Sequence, residues 1–369
     1  MILKSIKYQG YKNLMDSELI FSDHINTLSG LNGVGKTNIL DAIHYLSLAK
    51  SAFGFTDSQT IAHGKDVFYL EGRFQTDEKS EKISCAYKEG QKKILRADAK
   101  EYKKLSDHVG KYPVVMFNPY DTDIIRSGGE SRRRFVDSIL SQINTDYLRS
   151  LIAYNSILRQ KNQFLKNTYH FGQAEHLLLD TYDHKMAVFG TTILKTRKTF
   201  ITDFKENLVK YYDLMSSSQS EIPDLLYDTG IRPEDIKKSI ADGRKVDINT
   251  KRSSTGTHKD DFIFNLNGRA IKKFGSQGQQ KSYSIALRLA QHSFITQKLE
   301  YKPLLLFDDL FDKLDRERIE RLMKFVVSLD KQQIFITDTS LSRLRQVLMN
   351  SNKEVKHFRL DNGIVQEVT

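Results

Sequence analysis

Cysteine and tryptophan are almost absent from this sequence of 369 residues, which contains one cysteine, Cys85, and no tryptophan. A single cysteine cannot form a disulfide within the chain or supply a cluster of thiolate ligands to a metal, and it is typical of a reducing compartment. No segment approaches the roughly 18 consecutive apolar residues of a membrane span. Lys4 and Lys7 interrupt the apolar N-terminal segment, unlike the core of a secretory signal. We therefore expect a soluble, cytoplasmic protein without a membrane partner.

Positive charge, in contrast, is in excess. The chain carries 57 Lys and Arg against 46 Asp and Glu, for a formal net charge of +11. Such an excess indicates an anionic partner, either nucleic acid or an anionic membrane surface. Charge alone leaves open the alternative of a basic soluble protein with no such partner. The length is sufficient for two domains.

A glycine-rich loop lies between a predicted strand, 25–29, and a helix whose apolar residues recur at helical spacing. Strand, loop and helix in this order are typical of a phosphate-binding loop, in which backbone N–H groups surround phosphate oxygens. The Lys36 ammonium would reach the β- and γ-phosphates, and the Thr37 hydroxyl would bind Mg²⁺. The alternative is a chance glycine-rich turn. We predict that ATP is bound by Gly30, Leu31, Asn32, Gly33, Val34, Gly35, Lys36, Thr37 and Asn38.

Two carboxylates follow a second apolar run, 304–307, which has the pattern of a buried parallel strand. Ligands lie at the carboxyl ends of such strands, so we expect Asp308 to hold Mg²⁺ and Asp309 to act as the catalytic group that polarises water. Many ATPases of this class carry Glu at the second position. Because Asp is one methylene shorter, we expect slow hydrolysis, suited to a switch. The alternative is a solvated Asp pair.

A third motif opens a helix near residue 277. A hydroxyl, a glycine and backbone amides at a helix start form an anion site. Since Lys36 already has its own loop, this second site is expected to contact the γ-phosphate of ATP bound to another subunit, which predicts an ATP-dependent homodimer. The alternative is an ordinary Ser N-cap. The residues of this signature segment are Ser276, Gln277, Gly278 and Gln279.

The order of these motifs indicates an insertion, because Lys36 and Asp308 are distant in sequence and yet must meet at one Mg²⁺. Helical spacing from Ser131 to Leu158 predicts one long helix, and spacing from Leu179 to Leu208 predicts a second, so a helical hairpin is expected. A loop is expected at 216–220, and a hairpin turn at 267–268. We predict an α/β fold, an ABC-type P-loop ATPase head (1–118 and 255–369) with an inserted helical arm (119–254).

Further positions take their roles from their place after the predicted strands and helices. Asn118 occupies the expected place of a lid residue, and Asp338 or Thr339 stands where related ATPases carry a γ-phosphate-sensing His. The DNA contacts predicted are Arg132, Arg133 and Arg134, with further basic residues at 92–93, 103–104, 343 and 345. The alternatives are a solvated basic face or, for the arginine triplet, pairing with carboxylates of the arm.

Together these motifs resemble one family closely, the bacterial recombination mediator RecF, a relative of SMC and Rad50 heads. The resemblance extends over essentially the whole chain, and the arginine triplet and Gln-rich signature are more specific than the Walker motifs. Thr257, Asn118 and Tyr120 depart from the family pattern. Beyond the phosphate loop and Phe307-Asp308-Asp309, the blocks that match are Tyr112-Pro113-Val114-Val115-Met116-Phe117-Asn118-Pro119, Ser131-Arg132-Arg133-Arg134-Phe135-Val136-Asp137, Gly256-Thr257-His258-Lys259-Asp260-Asp261 and Ser276-Gln277-Gly278-Gln279-Gln280-Lys281.

The resemblance implies an ATP- and Mg²⁺-dependent dimer on single-stranded, gapped and double-stranded DNA, with slow ATP hydrolysis. It also implies that the protein works with RecO and RecR to place RecA at gapped DNA during DNA replication, repair and the SOS response. Three alternatives remain from the residues alone. These are the nucleotide-binding subunit of a membrane transporter, a P-loop GTPase or kinase, and another SMC-like ATPase of nuclease or defence type. The arm and the basic charge disfavour the first, and the absence of an Asn-Lys-x-Asp motif disfavours a GTPase.

Overall fold

The computed structural model describes residues 1–76, 79–216, 220–299, 301–312, 314–349 and 351–368. The chain divides into a head unit, Met1–Asp121 with Lys281–Thr369, and an arm unit, Thr122–Gln280. The arm unit begins close to the predicted start of the insertion at 119. It continues to Gln280 rather than ending at 254, because strand Asp261–Leu266 pairs with strand Pro223–Asp228.

Strands form much of the head unit and a small part of the arm unit. In chain order, those of the described residues are β1 (Ile2–Gln9), β2 (Ser17–Ile20), β3 (Ile25–Ser29), β4 (Val67–Gln75), β5 (Ser80–Lys88), β6 (Ile94–Ala97), β7 (Lys100–Glu101), β8 (Val114–Phe117), β9 (Pro223–Asp228), β10 (Asp261–Leu266), β11 (Arg269–Ala270), β12 (Leu304–Phe307), β13 (Ile334–Asp338), β14 (Val355–Asp361) and β15 (Ile364–Val368).

The α-helices, again in chain order, are interspersed with these strands. They are α1 (Lys36–Leu48), α2 (Asp123–Arg126), α3 (Gly129–Ile143), α4 (Thr145–Asn167), α5 (Gln173–Met215), α6 (Ile236–Thr250), α7 (Ile271–Phe274), α8 (Gln277–Leu299), α9 (Arg316–Ser328) and α10 (Leu341–Leu348). Single 3₁₀ turns lie at Ser58–Thr60, Leu105–Asp107, Thr257–Lys259 and Leu310–Asp312.

The head unit contains a sheet of order β15-β14-β3-β13-β12-β8, in which β14, β3, β13, β12 and β8 are parallel and β15 is antiparallel. Strands β3 and β12 are buried at every position, and β12 is the continuous apolar run that a buried parallel strand predicts. Because parallel strands share one carboxyl edge, the phosphate loop after β3 and the carboxylates after β12 lie at the same edge.

A second sheet of the head unit, β2-β1-β4-β5-β6-β7, is antiparallel. Helix α1 contacts β4 and β5 of this sheet as well as β8 and β13 of the parallel sheet. Ile39, Leu40, Ile43 and Leu46 are accordingly fully buried. One hydrophobic core, centred on α1, therefore serves both sheets and fixes the helix behind the phosphate loop.

The arm unit consists of the α4–α5 hairpin, helices α2, α3, α6 and α7, and the small antiparallel sheet β11-β10-β9. The predicted hairpin is confirmed, and the 43-residue helix α5 includes the whole Leu179–Leu208 pattern. The predicted turn after β10 is also present, with Asn267 and Gly268 at φ values of 50° and 73°.

The prediction of one long helix from Ser131 to Leu158 is wrong. The segment forms two helices, α3 and α4, separated at Asn144, whose backbone is extended. The Asn144 side chain accepts a hydrogen bond from Tyr147 N (2.9 Å) and so caps the start of α4. The apolar spacing continues across a one-residue break, which explains why it did not reveal the cap. The predicted loop at 216–220 includes residues 217–219, which lie outside the described residues.

Candidate nucleotide site

The phosphate loop connects β3 to α1 through three glycines with positive φ, at 154° for Gly30, 83° for Gly33 and 112° for Gly35. Two of these positions also lack room for a side chain. A Cβ at Gly30 would lie 2.5 Å from the main-chain oxygen of Leu360, and one at Gly35 would lie 2.7 Å from Leu14 Cδ2. The loop therefore needs glycine for both its backbone conformation and its close packing.

The remaining loop residues divide by exposure. Leu31, Asn32 and Gly33 are exposed at the tip of the loop, Val34 is half-buried and Lys36 is buried. The Lys36 ammonium donates to the main-chain oxygens of Gly30 (2.9 Å) and Leu31 (3.1 Å). The contacts of these residues, and of Thr37 and Asn38, with ATP remain predictions. The charged end of Lys36 lies inside the loop, as a contact with the phosphates requires.

Thr37 and Asp308 meet although they are 271 positions apart, with 2.8 Å between Thr37 Oγ1 and Asp308 Oδ1. The Thr337 hydroxyl, at the end of β13, donates to the same carboxylate oxygen (2.9 Å). Burial raises the pKa of Asp308 to about 6, while the hydrogen bonds from Thr37 and Thr337 oppose that rise. A hydroxyl and a carboxylate are hard oxygen ligands of the kind that Mg²⁺ prefers, and a bound cation would favour the ionised carboxylate.

Asp309 adopts a left-handed backbone conformation, with φ of 39°. Its backbone N–H donates to Thr337 Oγ1 (2.9 Å), and its Oδ2 lies 3.9 Å from Lys36 Nζ. The two predicted carboxylates and the predicted lysine thus lie at one edge of the parallel sheet. The catalytic role of Asp309 remains a prediction.

Asn13 was missed by the sequence analysis. Its Nδ2 donates to Gly33 O (2.8 Å), and its Oδ1 accepts from Asn38 Nδ2 (2.6 Å), so it joins the loop tip to the start of α1. The preceding residue, Lys12, forms an ion pair of 2.7 Å with Asp41, a fully buried residue of α1. No local pattern marks Asn13, because its partners lie 20 and 25 positions away.

The other head residues assigned by pattern are held by nearby partners. Asn118, which follows β8, donates from Nδ2 to Asp121 Oδ1 (2.9 Å). Asp338, at the end of β13, is buried and accepts from Arg343 Nη2 (2.8 Å), which also lies 3.3 Å from Thr339 Oγ1. These contacts orient the side chains at the carboxyl edge. The lid and γ-phosphate-sensing roles remain predictions.

The signature segment lies in the arm unit, at the start of α8. Gln279 N donates to Ser276 Oγ (3.2 Å), and Ser276 N donates to Gln279 Oε1 (2.7 Å). This reciprocal pair is a capping box, which includes the ordinary N-cap that sequence analysis left as the alternative. Ser276 and Gln277 are exposed, whereas Gly278 and Gln279 are half-buried. An exposed helix start that offers a hydroxyl and backbone amides is compatible with an anion site.

The arginine triplet belongs to α3 and differs residue by residue. Arg132 forms a bidentate pair with Asp261, at 2.7 and 2.8 Å, and is only 12% exposed. Arg133 Nη1 donates to the main-chain oxygen of Asp260 (2.6 Å). Arg134 is 76% exposed and pairs with Glu130. The pairing of Arg132 matches the alternative of pairing with carboxylates, whereas Arg134 presents its charge to solvent.

Clustered metal ligands and membrane-spanning helices are both absent from the residues that the structure describes. Those residues contain no group of three or more His, Cys, Asp or Glu side chains placed to hold a metal. In the same part of the chain, no helix combines the length and apolar character needed to cross a bilayer.

Comparison with known proteins places these features in a family. The model of a family described as AAA ATPase domain matches residues 1–362. The DNA replication and repair protein RecF of Phocaeicola vulgatus is 41% identical over 369 residues, covering 100% of this chain and 98% of the relative. RecF of Parabacteroides distasonis is 39% identical over 366 residues, covering 99% of each chain.

Solved structures that resemble this chain include a RecF structure, in agreement with the sequence relatives. The structure of the recombination mediator protein RecF-ATP in the RecFOR pathway matches with a TM-score of 0.90 at 27% identity, covering 100% of this chain and 98% of that chain. An Smc head bound to the C-winged helix domain of ScpA matches with a TM-score of 0.57 at 15% identity, covering 100% of this chain and 97% of that chain, which shows a shared fold. The predicted α/β P-loop ATPase fold with a helical arm is confirmed. The chain belongs to the RecF family of DNA replication and repair proteins.

Proposed function

We propose that this protein is an ATP-dependent, dimerising DNA-binding protein that, with RecO and RecR, helps to place RecA on gapped DNA. The observation that carries the proposal is the 2.8 Å contact between Thr37 and Asp308, which brings together two motifs 271 positions apart that would form one magnesium–nucleotide site. The similar structure of RecF-ATP in the RecFOR pathway supports ATP as the nucleotide and RecO and RecR as partners. The proposal includes a cytoplasmic location and a role in the SOS response.

The nucleotide would be held by residues 30–38, with the Lys36 ammonium directed to the β- and γ-phosphates. Thr37 and Asp308 would hold Mg²⁺, which, when bound, neutralises charge that develops on the phosphates during transfer. Asp309 would orient and polarise the attacking water. Since its carboxylate is one methylene shorter than that of Glu, a slow rate is expected, and ATP then serves to hold a conformation.

Dimerisation follows from the second anion site. The capping box leaves the N-terminal amides of α8 and the Ser276 hydroxyl at an exposed helix start. The positive end of that helix would meet the γ-phosphate of ATP held by the phosphate loop of a second copy. ATP would then form part of the interface, which makes dimerisation depend on nucleotide.

DNA would be bound mainly through its phosphates, in keeping with the net charge of +11. Arg134 is the member of the triplet best placed for such a contact, because it is exposed. Arg132 pairs with Asp261, and Lys93 pairs with Asp57. Because these positive charges are partly neutralised, they should attract DNA phosphates less strongly. Binding of this kind should weaken steeply as salt is raised.

The test is sedimentation velocity of the purified protein with labelled gapped duplex, with and without ATP and Mg²⁺. We expect a DNA-bound dimer with ATP and a monomer without it. The matched control is Ser276→Arg, which should bind ATP with wild-type affinity and fail to dimerise. A monomer that ignores both ATP and DNA would contradict the proposal, and a Ser276→Arg dimer would contradict the shared site.

The mediator role has its own assay. RecA filament growth on gapped DNA can be followed in the presence of RecO and RecR, with and without this protein and ATP. Faster growth that requires ATP and is lost in Ser276→Arg is expected. Equal growth in all samples would remove the mediator role while leaving the ATP-dependent dimer in place.

A further inference from the structure

Glu221 lies beyond the end of α5 and contacts two parts of the arm unit at once. Its Oε2 accepts hydrogen bonds from the Tyr212 hydroxyl (2.6 Å) and the Ser216 hydroxyl (2.8 Å), at the C-terminal end of α5. Its Oε1 accepts from Gln279 Nε2 (2.7 Å), 58 positions later in the chain. One carboxylate therefore joins the end of a 43-residue helix to the signature segment.

Gln279 is fixed by both ends of its amide. Its Oε1 accepts from Ser276 N (2.7 Å), and its Nε2 donates to Glu221. The amide group is planar, so a shift of Glu221 must rotate or displace the oxygen that holds Ser276. The orientation of the Ser276 hydroxyl, which the capping box sets, thus depends on where the end of α5 places Glu221.

The position of Glu221 is itself well defined. The next residue, Ile222, exchanges two hydrogen bonds with Asn267 in the β10–β11 turn, at 2.7 and 2.8 Å. On the other flank of the signature segment, Arg126 Nε donates to Gln280 Oε1 (2.7 Å). Of these two side-chain supports, Glu221 is the one bonded to the long arm helix.

We propose that Glu221 is a positioning residue through which the end of α5 sets the geometry of the signature segment, and so the affinity with which two subunits close on ATP. The inference rests on the proposed function, because it assumes that the signature segment meets ATP on a second copy. A partner that turns the last turn of α5 would move the Tyr212 and Ser216 hydroxyls. Glu221 would pass that movement to Gln279 and Ser276.

The first test is Glu221→Ala, with three measurements on the same preparation. They are the dissociation constant of the ATP-dependent dimer by sedimentation velocity, the affinity of the monomer for a fluorescent ATP analogue, and the melting temperature. We expect the dimer to weaken about tenfold, as the loss of the charge-assisted hydrogen bond to Gln279 predicts. ATP affinity and the melting temperature should stay close to wild type, which a purely structural role would not give.

Glu221→Gln is the conservative rescue. The carbonyl oxygen of the new side chain can accept a hydrogen bond from Gln279, and its amide NH₂ group can donate to the Tyr212 and Ser216 hydroxyl oxygens. We expect dimerisation within about twofold of wild type, because both ends of the link survive. The matched control is Glu206→Gln, which should change none of the three measurements. Glu206 also belongs to α5 and is distant in sequence from the signature segment.

A second variant keeps the test informative should Glu221→Ala fail to fold. Tyr212→Phe with Ser216→Ala removes the two hydroxyl donors from the end of α5 and leaves Glu221 bonded to Gln279, so the dimer should again weaken. Wild-type dimerisation of this double variant, or of a folded Glu221→Ala, would overturn the inference while Ser276→Arg still abolished the dimer. A wild-type protein that fails to dimerise with ATP would instead overturn the proposed function on which the inference rests.

Discussion

Two buried lysines, one in each unit, are held in opposite ways. Lys161 of α4 is fully buried, and its ammonium lies 2.7 Å from Asp183 and 2.6 Å from Asp247. Lys36 is 3% exposed, donates to two main-chain oxygens and lies 3.9 Å from Asp309. Two carboxylates neutralise the first charge, whereas the second faces mainly neutral dipoles.

The difference separates a structural cation from a binding one. A buried cation held by carboxylates is already neutralised within the fold, and its removal leaves those carboxylates without a compensating charge. A buried charge held by carbonyl groups can still gain a strong interaction from a phosphate. Burial alone therefore does not identify a site, but the chemistry of the partners does.

The largest expected effect comes from Lys161→Met. Without the ammonium, Asp247 becomes a buried carboxylate without a cation, while Asp183 keeps its bond to Arg244 (2.7 Å). We expect the free energy of unfolding to fall by about 3–5 kcal/mol, measured by urea denaturation. Adding Asp247→Asn should recover part of the loss, because it removes the stranded charge. A loss below about 1 kcal/mol would contradict the comparison.

The same substitution at Lys36 should act on binding and spare the fold. Lys36→Met removes charge-assisted contacts to the phosphates, so ATP affinity should fall about 100-fold in a titration with a fluorescent analogue. The free energy of unfolding without nucleotide should change by less than about 1 kcal/mol, because no carboxylate depends mainly on Lys36 to neutralise its charge. An equal loss of stability in the two Met variants would show that both lysines are structural.

Two buried histidines differ from both lysines, because their side chains are neutral in the folded protein. Burial lowers the pKa of both His108 and His292 to about 4, although hydrogen bonds to Leu46 O and to Gln332 oppose that change. In the unfolded chain a histidine titrates near pH 6.5, so below that pH the unfolded state binds protons that the folded state does not. Stability is therefore complete above about pH 6.5 and falls as the pH drops toward 4.

We expect each of these histidines to cost about 2 kcal/mol of stability between pH 7 and pH 5, measured by urea denaturation at the two values. His292→Gln keeps a side-chain donor for Gln332 and removes the titration, so the pH dependence should shrink by that amount. A variant with the wild-type pH dependence would show that folding does not lower the pKa of His292.

The smallest effect on stability is expected at Arg134. Its pair with Glu130 is exposed on both sides, so Arg134→Ala should change the free energy of unfolding by less than about 0.5 kcal/mol. If Arg134 contacts a DNA phosphate, the slope of log affinity against log salt concentration should decrease by about 1. An unchanged slope would remove Arg134 from the DNA contacts. Arg132→Ala is the comparison, since its bidentate bond to Asp261 ties it to the fold.

Much of the nucleotide site was predictable because its parts are local. A short strand followed by glycines, lysine and threonine specifies β3, the loop and α1 within 24 residues, and the apolar run before Asp308 specifies β12. The parallel sheet then brings the two carboxyl ends together, since such sheets collect ligands at one edge. Asn13 could not be predicted, because nothing in its own neighbourhood reflects its bonds to Gly33 and Asn38.

The arm unit was less predictable for the same physical reason. Its helices have a clear apolar period, but the partners of Lys161, Arg132 and Glu221 lie tens of positions away. A single sequence gives the sign of a charge and not the identity of its partner. The arginine triplet illustrates the result, because three adjacent identical residues have three different environments.

The strand order of the parallel sheet has a consequence for synthesis. Strand β3 is made early, yet its two neighbours, β13 and β14, lie more than 300 residues later in the sequence. On the ribosome, therefore, that sheet cannot close around β3 until β13 and β14 have been synthesised, and the apolar surface of α1 that it covers stays exposed until then. Contacts between such distant segments form slowly and leave apolar surface exposed meanwhile. A chain released short of β14 would carry a complete phosphate loop on an unfinished sheet.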